Sequence, residues 1–232
     1  MLYGYYMFDW TYLLVIVGLL FSLAASAHVN STFRRYNRVR SMCGLTGAMA
    51  AQKVLQSAGI YDVRIERVAG NLTDHYDPRT KTLRLSDSTY ASNSVAAICV
   101  AAHECGHAVQ DQLQYAPLAF RSALVPMANF GSTLGWPVFL FGWIFSFQPL
   151  ITAGIILFTL AVLFQLITLP VEFNASSRAL RILEGTHILG DQELSAGRKV
   201  LGAAAMTYVA SLAASLLQLL RLILLSGGKR RR

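Results

Sequence analysis

The chain has 232 residues, of which 54% are hydrophobic and only 14% are charged. Soluble domains carry about 25% charged residues, so this composition excludes an ordinary soluble domain and predicts a membrane protein. The formal net charge of +8 comes mostly from basic residues beside apolar runs, a pattern that favours an anionic lipid bilayer as a partner. Because basic and aromatic residues are not interleaved, we expect no nucleic acid partner.

The first apolar run covers residues 11–29, contains no charged residue and is long enough to cross a hydrocarbon core of about 30 Å. Residues 25–27 (Ala-Ser-Ala) resemble a cleavage site, but residues 1–10 contain no lysine or arginine, and a basic cluster at 34–40 follows the run. This polarity favours an uncleaved anchor, residues 1–29, with its amino end outside and residues 33–118 in the cytoplasm.

Residues 30–118 show short local patterns typical of helices and strands. These are a helix at Gly44–Gly59, a strand at Tyr61–Val68, a hairpin at Gly70–Leu85 and a helix at Ser94–Gln114. Gly59 fits the end of the first of these helices, and Asn93 or Ser94 fits the N-terminal cap of the helix at Ser94–Gln114. The predicted fold class is α+β: a multi-span helical membrane protein with a small domain inserted between its first and second spans.

Further apolar runs follow at residues 122–147, 149–171 and 200–225. We expect the first two to form a transmembrane helical hairpin within residues 119–171. The third belongs to a C-terminal segment, residues 200–232, that consists of an apolar helix and a basic tail.

The last run raises a conflict over topology. Four spans and an outside amino end place the basic tail Lys229–Arg232 outside, against the positive-inside tendency. Either the last helix, interrupted by Gln218 and Arg221, lies along the membrane, or the tendency fails here. The length of the run favours a fourth span.

Three cysteines, Cys43, Cys99 and Cys105, form no CxxC pair. Cys99 and Cys105 lie six positions apart on one predicted helix, a poor spacing for a disulfide. We therefore expect small buried residues on a reducing side of the membrane.

The helix at Ser94–Gln114 contains an HExxH sequence, residues 103–107. Histidines four positions apart lie on one helical face, so both imidazoles can bind one metal ion. A catalytic zinc ion keeps a position open for water, and Glu104 can take a proton from that water. Short motifs also arise by chance, but two of the five histidines lie in this one turn. We predict one Zn²⁺ per chain, with His103 and His107 as ligands and Glu104 as general base.

A catalytic zinc needs a third protein ligand from elsewhere in the chain. Gln110 and Leu113 stand where a metzincin has glycine and histidine, and no later apolar run contains the aspartate of a site-2-type protease. Among the later acids, Asp111 points along the helix surface, whereas Glu172 ends a long uncharged run at the membrane boundary. We predict Glu172 as the third ligand, on a helix and loop at residues 172–199.

Other interpretations of these residues stay open. His187 lies in a loop or helix start and is a weaker rival ligand. His75 is a second rival that could face the cleft from the hairpin, although an exposed strand position is favoured. His28 ends the first span and fits an interfacial residue. Glu172 can also be a solvated residue at the end of a span.

Five stretches resemble the YugP-like family of membrane zinc metallopeptidases and cover nearly the whole chain in order. They are Leu72–Arg79, Leu83–Ser86, Ala101–Gln110, Leu169–Ser176 and Ala205–Ala210. More distantly, the layout is similar to HtpX-type and CAAX prenyl proteases, which take the glutamate of an ExxxD pattern as third zinc ligand. Glu172 matches that glutamate, whereas Ser176 stands at the aspartate position. The resemblance implies a gluzincin-like peptidase and supplies no substrate.

These patterns predict a membrane-embedded zinc endopeptidase with its metalloprotease domain at residues 30–118 and with peptides or membrane proteins as substrates. Tyr208 and Arg178 are candidate donors to the developing oxyanion. Tyr208 equally fits an interfacial aromatic residue, and Arg178 a contact to lipid phosphate. The Lys81–Leu85 strand could pair with an extended substrate. The alternative is a non-catalytic membrane scaffold with a structural zinc, which Glu104 disfavours because a structural site has no use for a base.

Overall fold

The structure is a computed structural model, and it describes residues 9–229. The helices in that range are α1 Tyr12–Tyr36, α2 Gly47–Ser57, α3 Asp87–Tyr90, α4 Val95–Gln112, α5 Ala116–Ile144, α6 Gln148–Gly185 and α7 Asp191–Lys229. The strands are β1 Arg64–Val68, β2 His75–Asp77 and β3 Thr82–Ser86. The described chain divides into a helical unit (residues 9–26, 120–169 and 207–229) and an α+β unit (residues 27–119 and 170–206).

Four helices are long and apolar enough to cross a membrane: Tyr12–Tyr36, Ala116–Ile144, Gln148–Gly185 and Asp191–Gly227. Each corresponds to one of the predicted apolar runs, so the expected multi-span helical architecture is confirmed by length and composition. Many of their large apolar side chains are exposed, as lipid-facing side chains must be; Leu20 is 59% exposed and Phe130 63%. The five-segment division and the side of the membrane stay predictions.

Close helix contact in the helical unit depends on a glycine. A Cβ added to Gly154 of α6 would lie 2.6 Å from the backbone nitrogen of Phe139 in α5, closer than packed atoms approach. Phe139 is 1% exposed and packs with Ile151 and Leu222. The missing side chain therefore lets the two helix backbones touch, which matters in lipid because helix association there relies on van der Waals packing.

Arg221, which interrupts the last apolar run, is 6% exposed within the helical unit. Its Nε donates to Thr11 Oγ1 at 3.3 Å, and its guanidinium carbon lies 4.1 Å from the ring centroid of Tyr12. These contacts supply polar and aromatic partners to a charge that lipid disfavours. They also bring Arg221 of α7 beside the start of α1, as four spans would require.

We expect Gly154→Ala to destabilise the helical unit by about 1–3 kcal/mol, because the new methyl group overlaps Phe139 and forces α5 and α6 apart. Thermal unfolding of the full chain in detergent, followed by circular dichroism, measures the change. Gly227→Ala in α7 is the matched control, since a Cβ there meets nothing within 4 Å. Equal melting temperatures for the two variants would contradict this account of the packing.

The α+β unit contains a three-stranded sheet with the order β1-β3-β2. β2 and β3 are antiparallel, which confirms the predicted hairpin, whereas β1 runs parallel to β3. The central strand β3 pairs with a neighbour along each edge and is mostly buried. The prediction that the Lys81–Leu85 strand pairs with a substrate is therefore wrong, because both of its edges already have strand partners.

Helix α4 lies in the core of the α+β unit. Of the two predicted caps, Ser94 is the one that caps it, because the Ser94 hydroxyl accepts a hydrogen bond from the Ala97 backbone N–H at 3.1 Å. Val54 of α2, Leu83 of β3 and Leu183 of α6 belong to one hydrophobic cluster with buried residues of α4 such as Ile98. The core therefore holds α4, and with it the HExxH turn, in a defined position.

The cysteines fall into two groups. Cys99 and Cys105 of α4 are fully buried, and burial raises the pKa of both thiols, to about 12 for Cys99. Their predicted role as small buried residues is confirmed. For Cys43 the same prediction is wrong: this residue is exposed, because it lies in the loop before α2 and outside the core.

Candidate metal centre

Two histidines of α4 lie on the same side of the helix. His103 and His107 are one turn apart, and their ring centroids are 4.9 Å apart with the ring planes at 83°. Helical spacing produces this proximity, because residues i and i+4 lie above one another. The two side chains are only 14% and 11% exposed, so they form the wall of a largely buried site.

Glu172 reaches the same point from α6. Its Oε2 lies 3.3 Å from His103 Nε2 and 3.6 Å from His107 Nε2, and the residue is 2% exposed. One potential ligand atom from each of the three residues lies within 4.8 Å of the other two. We refer to His103, His107 and Glu172 as the His-His-Glu triad.

Gly106, between the two histidines, permits this convergence. A Cβ added to Gly106 would lie 2.5 Å from the Ala175 carbonyl oxygen of α6. The two helix backbones therefore touch in the turns that carry the triad. The HExxH motif by itself does not show this role of Gly106, although a glycine inside a helical pattern is a known signal of close packing.

Each histidine has a second polar contact through its other ring nitrogen. His103 Nδ1 lies 3.0 Å from Ser176 Oγ, and His107 Nδ1 lies 3.0 Å from Gln110 Oε1. The Nε2 atom of each ring faces the Glu172 carboxylate. Ser176 replaces the aspartate expected from the ExxxD pattern, and its hydroxyl contacts a histidine of the triad. Outer contacts of this kind orient histidines that bind metals.

The chemistry of the triad fits a zinc ion. Two imidazole nitrogens and one carboxylate oxygen make up a recurrent catalytic zinc set, in which the fourth position is left for water or substrate. A buried carboxylate is costly unless charged or hydrogen-bonding neighbours compensate it. The donor types and their convergence therefore support a single divalent metal ion at this point.

Electrostatics at His107 also favour a cation. Burial works to lower the pKa of His107, but the nearby carboxylates of Glu172 and Glu104, with the Gln110 contact, outweigh burial and raise the pKa. The negative potential that stabilises a proton on the ring also stabilises a divalent cation beside it.

Glu104 lies directly after His103 in α4 and is 9% exposed. Its negative charge contributes to the raised pKa of His107. Its role as general base stays a prediction.

The other predicted site residues have different surroundings. Arg178 Nε donates to Asn174 Oδ1 at 2.6 Å, and Tyr208 belongs to the helical unit, so both oxyanion-donor roles stay predictions. Within residues 9–229, the histidine and acidic side chains whose potential ligand atoms converge are those of the His-His-Glu triad. The rival ligands His75 and His187 do not belong to it. His75 is exposed on β2, and His187 lies in the loop after α6.

Comparison with known proteins agrees with this geometry. The sequence model of a family described as "Putative neutral zinc metallopeptidase" matches residues 11–227. The chain belongs to this family. It is also 46% identical over 212 residues to "Putative membrane protease YugP" of Bacillus subtilis (strain 168), with 91% of this chain and 94% of that protein covered. No solved structure matches the chain.

Membership of this family indicates zinc as the metal that the triad would bind. The family description names zinc, and the triad is the set of described side chains suited to hold it.

We expect Gly106→Ala to weaken zinc binding roughly tenfold or more, because the methyl group pushes α4 away from α6 and separates the histidines from Glu172. Chelator competition with the purified full chain measures the zinc dissociation constant. Gly202→Ala, also within a helix of the α+β unit, is the control because a Cβ there meets nothing within 4 Å. Unchanged affinity in Gly106→Ala would show that the close contact is not needed.

Proposed function

We propose that this protein is a membrane-embedded zinc endopeptidase with a gluzincin-like site, one Zn²⁺ per chain, and peptides or membrane proteins as substrates. The observation that carries the proposal is the convergence of three donor atoms, from α4 and α6, within 4.8 Å. The family description supports zinc and the peptidase class. The name of the related membrane protease and the four apolar helices support the membrane location.

His103, His107 and Glu172 would hold the ion in this proposal. With zinc bound, the site would supply a coordinated water whose pKa is lowered to about 7 and a positive charge that polarises the scissile carbonyl group. The protein contributes position: the donor atoms come from two helices in backbone contact and are largely buried. Burial also limits the access of bulk water, which would strengthen the electrostatic interactions of a peptide bound there.

Glu104 is the proposed general base. It would take one proton from the attacking water while the water oxygen bonds to the carbonyl carbon of the peptide. The same carboxyl group would then pass the proton to the leaving nitrogen as the carbon–nitrogen bond breaks. Its place directly after His103 and its low exposure of 9% support this role.

We expect Glu104→Gln to lower kcat about 10²–10⁴-fold, because an amide cannot accept the proton. Zinc content should stay at the wild-type level, since Glu104 is outside the His-His-Glu triad. Cleavage of fluorescently labelled casein by the zinc-loaded protein in detergent measures activity, and atomic emission spectrometry measures zinc.

The control for this experiment is Glu184→Gln. Glu184 lies on α6 in the α+β unit with its side chain 59% exposed, so its loss should leave activity intact. Wild-type rates in Glu104→Gln would remove the proposed base. A wild-type protein that holds zinc but cleaves neither casein nor a peptide library would favour the non-catalytic scaffold with a structural zinc.

We further propose that the α+β unit faces the cytoplasm. The support is the basic cluster at residues 34–40, which spans the end of α1, because basic residues concentrate on the cytoplasmic side of membrane spans. With four spans, the amino end and the basic tail would both lie outside.

Cys43 is a native probe of this orientation, since it is exposed whereas Cys99 and Cys105 are buried. In intact spheroplasts we expect a membrane-impermeant maleimide to leave Cys43 unmodified, and to label it only after permeabilisation. A cysteine appended after Arg232 in the Cys43→Ser protein should be labelled in intact spheroplasts. Labelling of Cys43 before permeabilisation would reverse the proposed orientation.

A further inference from the structure

Gln110 is a fully buried polar residue, at 0% exposure, three positions after His107 in α4. Its Oε1 lies 3.0 Å from His107 Nδ1. Its Nε2 donates to two acceptors on α6, the Val171 carbonyl oxygen at 2.8 Å and Asn174 Oδ1 at 3.0 Å. The Gln110 amide therefore connects one histidine of the triad to the helical turn that carries Glu172.

Arg178 determines the direction of this amide. Its Nε donates to Asn174 Oδ1 at 2.6 Å, and its guanidinium carbon lies 5.8 Å from the ring centroid of Tyr115. Arginine has no acceptor, so Asn174 must present its oxygen, and that oxygen can only accept from Gln110. The Val171 carbonyl oxygen imposes the same requirement, so the NH₂ group of Gln110 must face α6.

This orientation has a consequence for the His107 ring. With its NH₂ group directed at α6, Gln110 presents its oxygen to His107 Nδ1, and a carbonyl oxygen at 3.0 Å requires a hydrogen on that nitrogen. A neutral imidazole with its hydrogen on Nδ1 has its free lone pair on Nε2. Nε2 is the atom that lies 3.6 Å from the Glu172 carboxylate.

We infer that Gln110 is a positioning residue that holds His107 in the tautomer able to bind a metal ion through Nε2, and that Asn174 and Arg178 hold Gln110 in turn. The inference rests on the proposed function, because it concerns a ligand of the proposed zinc ion. His103 differs in this respect: its partner, the Ser176 hydroxyl, can donate or accept and so imposes no tautomer.

Zinc affinity of the full chain, measured by chelator competition, gives the first test. Gln110→Met keeps the length of the side chain but removes both hydrogen-bonding groups, and we expect it to weaken zinc binding about 10–100-fold. Gln112→Met is the matched control, because Gln112 lies on the same helix with an exposed side chain, and it should bind zinc as the wild type does.

Two variants of Asn174 separate the loss of a hydrogen-bond acceptor from a change in packing. Asn174→Asp keeps oxygen acceptors for Arg178 and Gln110 and should retain near wild-type zinc affinity. Asn174→Leu has a similar volume but no acceptor, so the Gln110 amide is released and zinc affinity should fall several-fold. Because Asn174 is only partly buried, this pair still tests the inference if Gln110→Met does not fold.

¹⁵N NMR of zinc-loaded protein with ¹⁵N-labelled histidine measures directly which ring nitrogen of His107 carries a hydrogen. The chain has five histidines, and His→Gln variants at 28, 75 and 187 assign the three signals from outside the triad. We expect His107 to carry a hydrogen on Nδ1 and to bind zinc through Nε2 in the wild type. In Gln110→Met, the Nδ1 hydrogen should exchange much faster with solvent.

The possible results separate this inference from the proposed function. Unchanged zinc affinity and an unchanged Nδ1 hydrogen in Gln110→Met would overturn the positioning role and leave the zinc site standing. Zinc bound through Nδ1 of His107, or equal affinities for Asn174→Asp and Asn174→Leu, would also overturn the inference alone. A wild-type protein that binds no zinc would overturn both.

Discussion

The backbone contact between α4 and α6 is the constraint on which the site depends. A carboxylate can meet two imidazoles only if the helices that carry them lie within reach of short side chains, and Gly106 against the Ala175 carbonyl oxygen permits that approach. The hydrophobic core, to which Leu83 and Leu183 both belong, holds the elements around α4 in place. The candidate metal centre is therefore a product of helix packing as much as of its donor atoms.

Electrostatics impose a second condition on the same contact. Transfer of an ionised carboxylate out of water costs on the order of several kcal/mol, and Glu172 is almost completely buried. The two imidazoles that face Glu172 reduce this cost. In turn, the carboxylates of Glu172 and Glu104 raise the pKa of His107. The α+β unit thus has a negative electrostatic potential at the triad. A divalent cation bound at this point would be stabilised by that potential.

The helix that carries Glu172 also carries residues that contact His103 and Gln110. Glu172 follows an uncharged run on the continuous helix α6, and Ser176 lies one turn further along the same helix. Residues i and i+4 of a helix share a face, so Glu172 and Ser176 can both reach His103. Asn174 lies between them and contacts Gln110 instead. A single segment of α6 therefore carries the carboxylate of the triad, the hydroxyl that contacts His103 and the acceptors that hold the Gln110 amide.

Much of the fold could be predicted from neighbouring residues. The apolar runs, the Ser94 cap, the β2–β3 hairpin and the pairing of His103 with His107 all depend on spacings of a few positions, which the chain records directly. Such features form wherever the local pattern is satisfied, because helix and strand geometry place those residues together without help from the rest of the fold.

Other features depended on tertiary contacts. Glu172 could be selected by elimination among the acids, but its distance from the histidines follows from the approach of α4 to α6. The same is true of the Gln110 orientation, the Ser176 contact, the central place of β3 and the exposure of Cys43. The sequence by itself determined which side chains share a helical face. Tertiary structure decided which faces meet, because that depends on packing between residues far apart in the chain.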